Sequence, residues 1–93
     1  MADATFAIEY GYVPQMEERR APHRADHLAF LKGAAEAGWL VLVGALTDPV
    51  DGAWLVVRAG DEAAALERVQ DDPYRQAGLV RSTSVRPISL VVP

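Results

Sequence analysis

Cysteine is missing from the chain altogether. That excludes disulfides, a thiolate nucleophile and a thiolate metal site, and it fits a cytoplasmic protein. Long apolar runs are also missing: no stretch approaches the roughly 20 residues that a membrane-spanning helix needs. The first residues carry no basic region followed by an apolar one, so no signal peptide is expected. Basic clusters are scarce. Arg19-Arg20 is the longest, and the formal net charge is -4, so nucleic acid is not an expected partner. No P-loop, dinucleotide fingerprint or Ser-His-Asp order is present, and no cofactor is expected. Histidine occurs twice, as His23 and His27. A four-residue spacing lets two imidazoles share a helix face, but a third ligand is not evident, so no metal is expected.

What is present suits a small packed domain. Of 93 residues, 51% are hydrophobic, and no Ser/Gly linker or low-complexity tract divides them, so residues 1–93 are expected to form one domain. A chain this short buries a limited share of its surface and would gain from self-association. Thr5 to Tyr12 reads as a strand, with Phe6, Ile8, Tyr10 and Tyr12 on one face at period two. Gln15 to Ala21, including Glu17-Glu18-Arg19-Arg20, reads as a solvated loop. A helix is expected from Pro22 to about Ala37, stopped by Gly38. Arg24, His27, Leu28, Leu31, Ala34 and Ala35 fall within one stripe of it.

Trp39 to Leu46 is the most apolar strand candidate, and both its faces are apolar, which implies cover on both sides. The turn chemistry of Asp48-Pro49 and Asp51-Gly52 joins it to a strand over Ala53 to Arg58, as an antiparallel hairpin. Asp61 is a plausible N-cap for a second helix to about Gln70, burying Ala63, Leu66 and Val69. Leu79 to Val92 holds a long last strand, with Pro87 marking an edge or bulge. The order βαββαβ fits a ferredoxin-like α+β fold: a four-stranded antiparallel sheet with both helices on one face. The other face then keeps apolar residues, among them one side of Trp39-Val41-Val43 and part of the last strand. A bare apolar face predicts association. A two-fold homodimer packing the open faces together is the simplest remedy.

The stretch Asp71 to Gly78 has the clearest local chemistry. Pro73 forces Asp72 out of helical geometry, so the second helix stops there and the carboxylate turns away from it. Two readings stay open from spacing alone. Asp72-Pro73 is a helix stop and turn, or it holds a carboxylate at a fixed corner that orients His27.

Several segments, taken in order, resemble the YCII-related family. Arg24 to Leu31 resembles its R-x-x-H-L-x-x-L helix start. Gly38 to Gly44 resembles the glycine, apolar strand and glycine that follow, Asp72-Pro73-Tyr74 its D-P-[YF] signature, and Val85-Arg86-Pro87 its closing strand. Ala45 departs from the pattern, which has proline there. The resemblance implies a dimeric α/β barrel and a site built from His27 and Asp72. It also implies kinship with enzymes, including a dehydrochlorinase acting on a chlorinated hydroxyquinol.

The chemistry expected of such a pair is general acid/base catalysis. Asp72 would accept one ring N–H, and the other nitrogen would serve as base on a small organic acid or quinol-like molecule. A histidine's ordinary pKa, near 6.5, suits that work. Arg24 would hold an anionic group through its guanidinium fork, or form a salt bridge to an acidic neighbour. Tyr10 and Tyr12 would line a pocket and Tyr74 close it, or all would be core. Two functional classes remain: a small enzyme performing proton abstraction, elimination or isomerisation, and a non-catalytic dimeric module that binds the same ligand.

Overall fold

A computed structural model describes residues 3–92. Its elements are β1 (Ala4–Tyr12), α1 (Met16–Arg19), a 3-10 turn (Ala21–His23), α2 (Arg24–Glu36), β2 (Leu40–Leu46), β3 (Gly52–Ala59), α3 (Glu62–Val69), α4 (Pro73–Gln76) and β4 (Val80–Pro87). All strand pairs are antiparallel, in the order β2-β3-β1-β4. This is the expected ferredoxin-like α+β arrangement.

The core forms where the period-two face of β1 meets the helices. Phe6, Ile8, Tyr10 and Tyr12 pack with Leu55 and Val57 of β3, Leu31 and Ala34 of α2, and Ala65 and Val69 of α3. Each large apolar side chain buried there contributes on the order of 1.5–3 kcal/mol. Gly38 ends the α2 segment at φ +89° and Gly78 follows α4 at φ +74°, left-handed positions that favour glycine.

Several expectations need correction. Gln15 to Ala21 is not a plain loop: it contains α1, whose Met16 is buried. In α3 the buried residues are Ala65 and Val69, while Ala63 is exposed and Leu66 half-buried. The last strand stops at Pro87. Around α2, Arg24, Leu28 and Ala35 lie exposed at the margin of a narrower buried stripe of His27, Leu31 and Ala34.

The open face also has a different membership. Leu40 pairs with Val57, but Leu42 pairs with Val56, so the register shifts between them. The extra residue, Val41, makes a bulge that reverses which side chains face the helices. Val43 and Ala45, opposite Leu55 and Ala53, turn inward; Leu42 and Leu46 share the outer face with Trp54. Those three outer side chains are 41–51% exposed. Trp39 lies on the helix side, edge-on to Phe30 with ring centroids 6.0 Å apart. Among the described residues no helix is long and apolar enough to cross a membrane.

Candidate active site

The site is assembled at the junction of α3 and α4. Asp72 has φ -57° and ψ 123°, the non-helical geometry that the following proline imposes. Pro73 opens α4, where its missing N–H costs nothing, so the chain enters a one-turn helix rather than a turn. Asp72 is the N-cap: Tyr74 N–H donates to its Oδ1 at 3.0 Å. Capping turns the carboxylate inward, and Asp72 is fully buried. There Tyr10 Oη donates to Oδ2 at 3.0 Å, and His27 Nδ1 lies 2.7 Å from Oδ1. Three donors therefore satisfy a group whose unpaired burial would cost several kcal/mol.

His27 comes from the first turn of α2 and is buried on the stripe it shares with Leu31 and Ala34. With Asp72 as acceptor, Nδ1 carries a ring hydrogen, and in the neutral ring Nε2 then keeps its lone pair. Nε2 has no hydrogen-bond partner among the described residues and is not sealed from the cavity beside it. The Tyr74 ring stacks on the imidazole at 3.6 Å between centroids and 4° between planes. Tyr12 meets Tyr74 edge-on at 6.0 Å. Behind the pair, Arg75 lies 5.8 Å over the Tyr10 ring and donates to Thr83 Oγ1 at 2.6 Å. The Tyr74 hydroxyl is buried without a partner among the described residues.

Burial pushes the phenols of Tyr10 and Tyr12 well above their ordinary value, and the Asp72 carboxylate raises both further. For Tyr10 the hydrogen bond to Asp72 adds to this, while Arg75 opposes it. For Tyr12 the guanidiniums of Arg20 and Arg24 act in the opposing sense. At neutral pH both phenols thus stay protonated, and that of Tyr10 donates to Asp72.

The cavity beside His27 has a volume of about 210 Å³. Arg20, Arg24, His27 and Leu28 border it from the helical side, Tyr12 and Leu55 from the sheet, and Val43, Gly44 and Ala45 from β2. Drug-sized ligands occupy roughly 300–1,000 Å³, so this space suits one ring. A hollow of about 260 Å³ lies on the opposite, open face, near Glu9, Trp54 and Arg86. Among the described residues no three His, Asp or Glu side chains converge as a metal site would require.

The structure thus brings His27, Asp72, Tyr10 and Tyr74 together. The Tyr10 hydroxyl is engaged by Asp72, while its ring borders the cavity. Arg24 is exposed at the cavity's edge and forms no salt bridge among the described residues. Arg20 escaped the reading of the sequence because it closes a charged run. The available signal was Met16, a lone apolar residue in that run, which anchors α1 and carries Arg20 to the cavity.

A model of the YCII-related domain matches residues 4–89. The chain belongs to the YCII-related family. Among solved structures, this YCII-related chain is similar to 5-chloro-2-hydroxyhydroquinone dehydrochlorinase from Burkholderia phenoliruptrix, in complex with 2,5-dihydroxybenzoquinone. The two share 25% identity, over 91% of this chain and 93% of that one, with a TM-score of 0.77. A NIPSNAP family protein of Agrobacterium tumefaciens is 17% identical, over 94% and 91% of the two chains, with a TM-score of 0.57. A Nitrosomonas europaea protein is 18% identical, over 100% and 93%, with a TM-score of 0.55. These last two share the fold alone. No curated protein matches the chain.

Proposed function

We propose that the chain is an enzyme that uses His27 as general base and Asp72 as the group that orients it, on a single-ring acid or quinol. The observation that carries this reading is the asymmetry of the imidazole: Nδ1 is held by a buried carboxylate while Nε2 is free at a cavity. Such a base contributes about 10²–10⁴-fold to a rate. The likeness to a dehydrochlorinase supports an elimination. In that step Nε2 takes a proton from a ring hydroxyl or an adjacent carbon. In a quinol that proton is returned to the ring carbon bearing the leaving group, giving the keto form. A second ring hydroxyl then loses its proton to Nε2, and the freed electron pair moves through the ring and expels the anion from that carbon. The net loss is one proton and one anion, so the step is redox-neutral and balances without a co-reactant. Arg24 would contact the substrate's charged oxygen, and Tyr74 would fix the plane of the imidazole.

The test is turnover of chlorinated hydroxyquinols, including 5-chloro-2-hydroxyhydroquinone, and of small unsaturated acids, by wild type and His27→Gln. Halide release or isomerisation that falls about 100-fold or more in the variant supports the base. Undiminished turnover in the variant removes His27 from the mechanism. Binding without turnover by wild type favours the non-catalytic module instead.

The same chain is proposed to form a homodimer through its open sheet face. Leu42, Leu46 and Trp54 leave an apolar patch there, of the kind that marks an interface. Sedimentation of wild type and Trp54→Glu decides it: a dimer that the variant dissociates is expected, and a wild-type monomer at micromolar concentration contradicts it.

A further inference from the structure

We infer that Arg20 and Arg24 form a two-guanidinium clamp that selects an anionic ring compound for the His27 cavity, which makes Arg20 a specificity-determining residue. This rests on the reading of that cavity as a substrate site. The chain as a whole is acidic, with a net charge of -4. Yet among the described residues no carboxylate lines the cavity, and its two permanently charged groups are Arg20 and Arg24. Neither forms a salt bridge or a side-chain hydrogen bond among the described residues. Guanidiniums left unpaired beside a small cavity are suited to bidentate capture of a carboxylate, phenolate or enolate.

The backbone that presents Arg20 is firmly set. Met16 is buried and anchors α1. Arg20 N–H then donates to Met16 O at 2.8 Å, and His23 N–H donates to Arg20 O at 2.8 Å. Both ends of the 3-10 turn are thereby fixed, and Arg24 follows as the first residue of α2. Both side chains border the cavity from the helical side, opposite the sheet residues Tyr12 and Leu55. An anion bound between them would lie beside His27, and its negative charge would be held while the base removes a proton.

The experiment is amide NMR titration with benzoate and with its neutral counterpart benzamide, on wild type, Arg20→Gln, Arg20→Lys, Arg24→Gln and His27→Gln. Benzoate should perturb Tyr12, Arg24 and Gly44 at millimolar concentration, and benzamide should not. Each Arg→Gln change should weaken benzoate about fivefold, the upper worth of a partly exposed charge contact. Arg20→Lys should recover part of that loss. Salt at about 1 M, where the screening length falls to about 3 Å, should abolish the preference. His27→Gln should still bind benzoate, so loss of turnover in that variant with binding retained separates the clamp from the base. Equal binding of the two probes, no binding of either, shifts outside the cavity, or full affinity in Arg20→Gln overturns the inference.

Discussion

β1 and β2 are the two most instructive strands to set side by side. β2 is the more apolar in sequence, yet six of its seven residues are exposed or half-buried. β1 carries two tyrosines and a glutamate, yet Phe6, Ala7, Ile8, Tyr10 and Tyr12 are all buried. Hydrophobicity therefore does not rank these strands by burial; position in the sheet does. β1 is central, between β3 and β4, while β2 is an edge. One face of β2 borders the His27 cavity and the other lies on the open side of the sheet. Its apolar residues therefore line a cavity on one side and stand exposed on the other. The buried tyrosines of β1 instead support the His27–Asp72 pair from beneath.

The largest effect should come from breaking what β1 supports. Asp72→Ala leaves Tyr10 Oη, His27 Nδ1 and the Tyr74 N–H without their acceptor. Removing one side of such a buried group costs about 3–5 kcal/mol, measurable by urea unfolding. A loss under about 1 kcal/mol would mean that the network adds little. Next is the strand contrast itself. Ile8→Ala on β1 should cost about 2–4 kcal/mol. Leu42→Ala on β2 should cost well under about 1 kcal/mol at dilutions where the chain is monomeric. Equal costs in the monomer would erase the distinction. A cost for Leu42→Ala that grows with protein concentration would sharpen it, since the outer face would then be an interface.

Much of this was legible from the residues, for identifiable reasons. The alternation Phe6-Ile8-Tyr10-Tyr12 is long enough to fix the buried face of β1. Asp72-Pro73 marks the corner because proline constrains its predecessor whatever the surroundings. The inner and outer sides of β2 were not legible. A single extra residue at Val41 reverses the alternation, and an all-apolar strand has no polar side to reveal it. The buried face of α3 was missed for a similar reason: Ala63, Ala64 and Ala65 look alike, and only packing against the sheet distinguishes them. Arg20 was hidden because α1 is one turn long, too short for a helical period to register.

Smaller effects test the tyrosines. Tyr10 and Tyr12 have phenols raised in the folded state, against an ordinary value near 10. Protonated phenols thus favour the fold. That contribution is whole below about pH 10 and is lost as pH rises further. Stability should hold between about pH 8 and 9.5 and fall steeply toward about pH 11, with phenolate absorbance from both residues appearing together with unfolding. Absorbance that rises fully before unfolding would show that neither phenol is protected. The smallest expected change is a gain. Tyr74→Phe removes a buried hydroxyl that has no partner among the described residues and should stabilise the chain by about 1 kcal/mol. The aromatic alternative in the D-P-[YF] pattern agrees with that. A comparable loss would reveal a partner for the hydroxyl.

The most direct test of the site is the tautomer of His27, read by long-range ¹H–¹⁵N correlation at a pH where the ring is neutral. The hydrogen should be on Nδ1, with Nε2 unprotonated and shifting when an anion enters the cavity. A hydrogen on Nε2, or an Nε2 signal indifferent to every ligand that binds, would contradict the assignment of His27 as an oriented base.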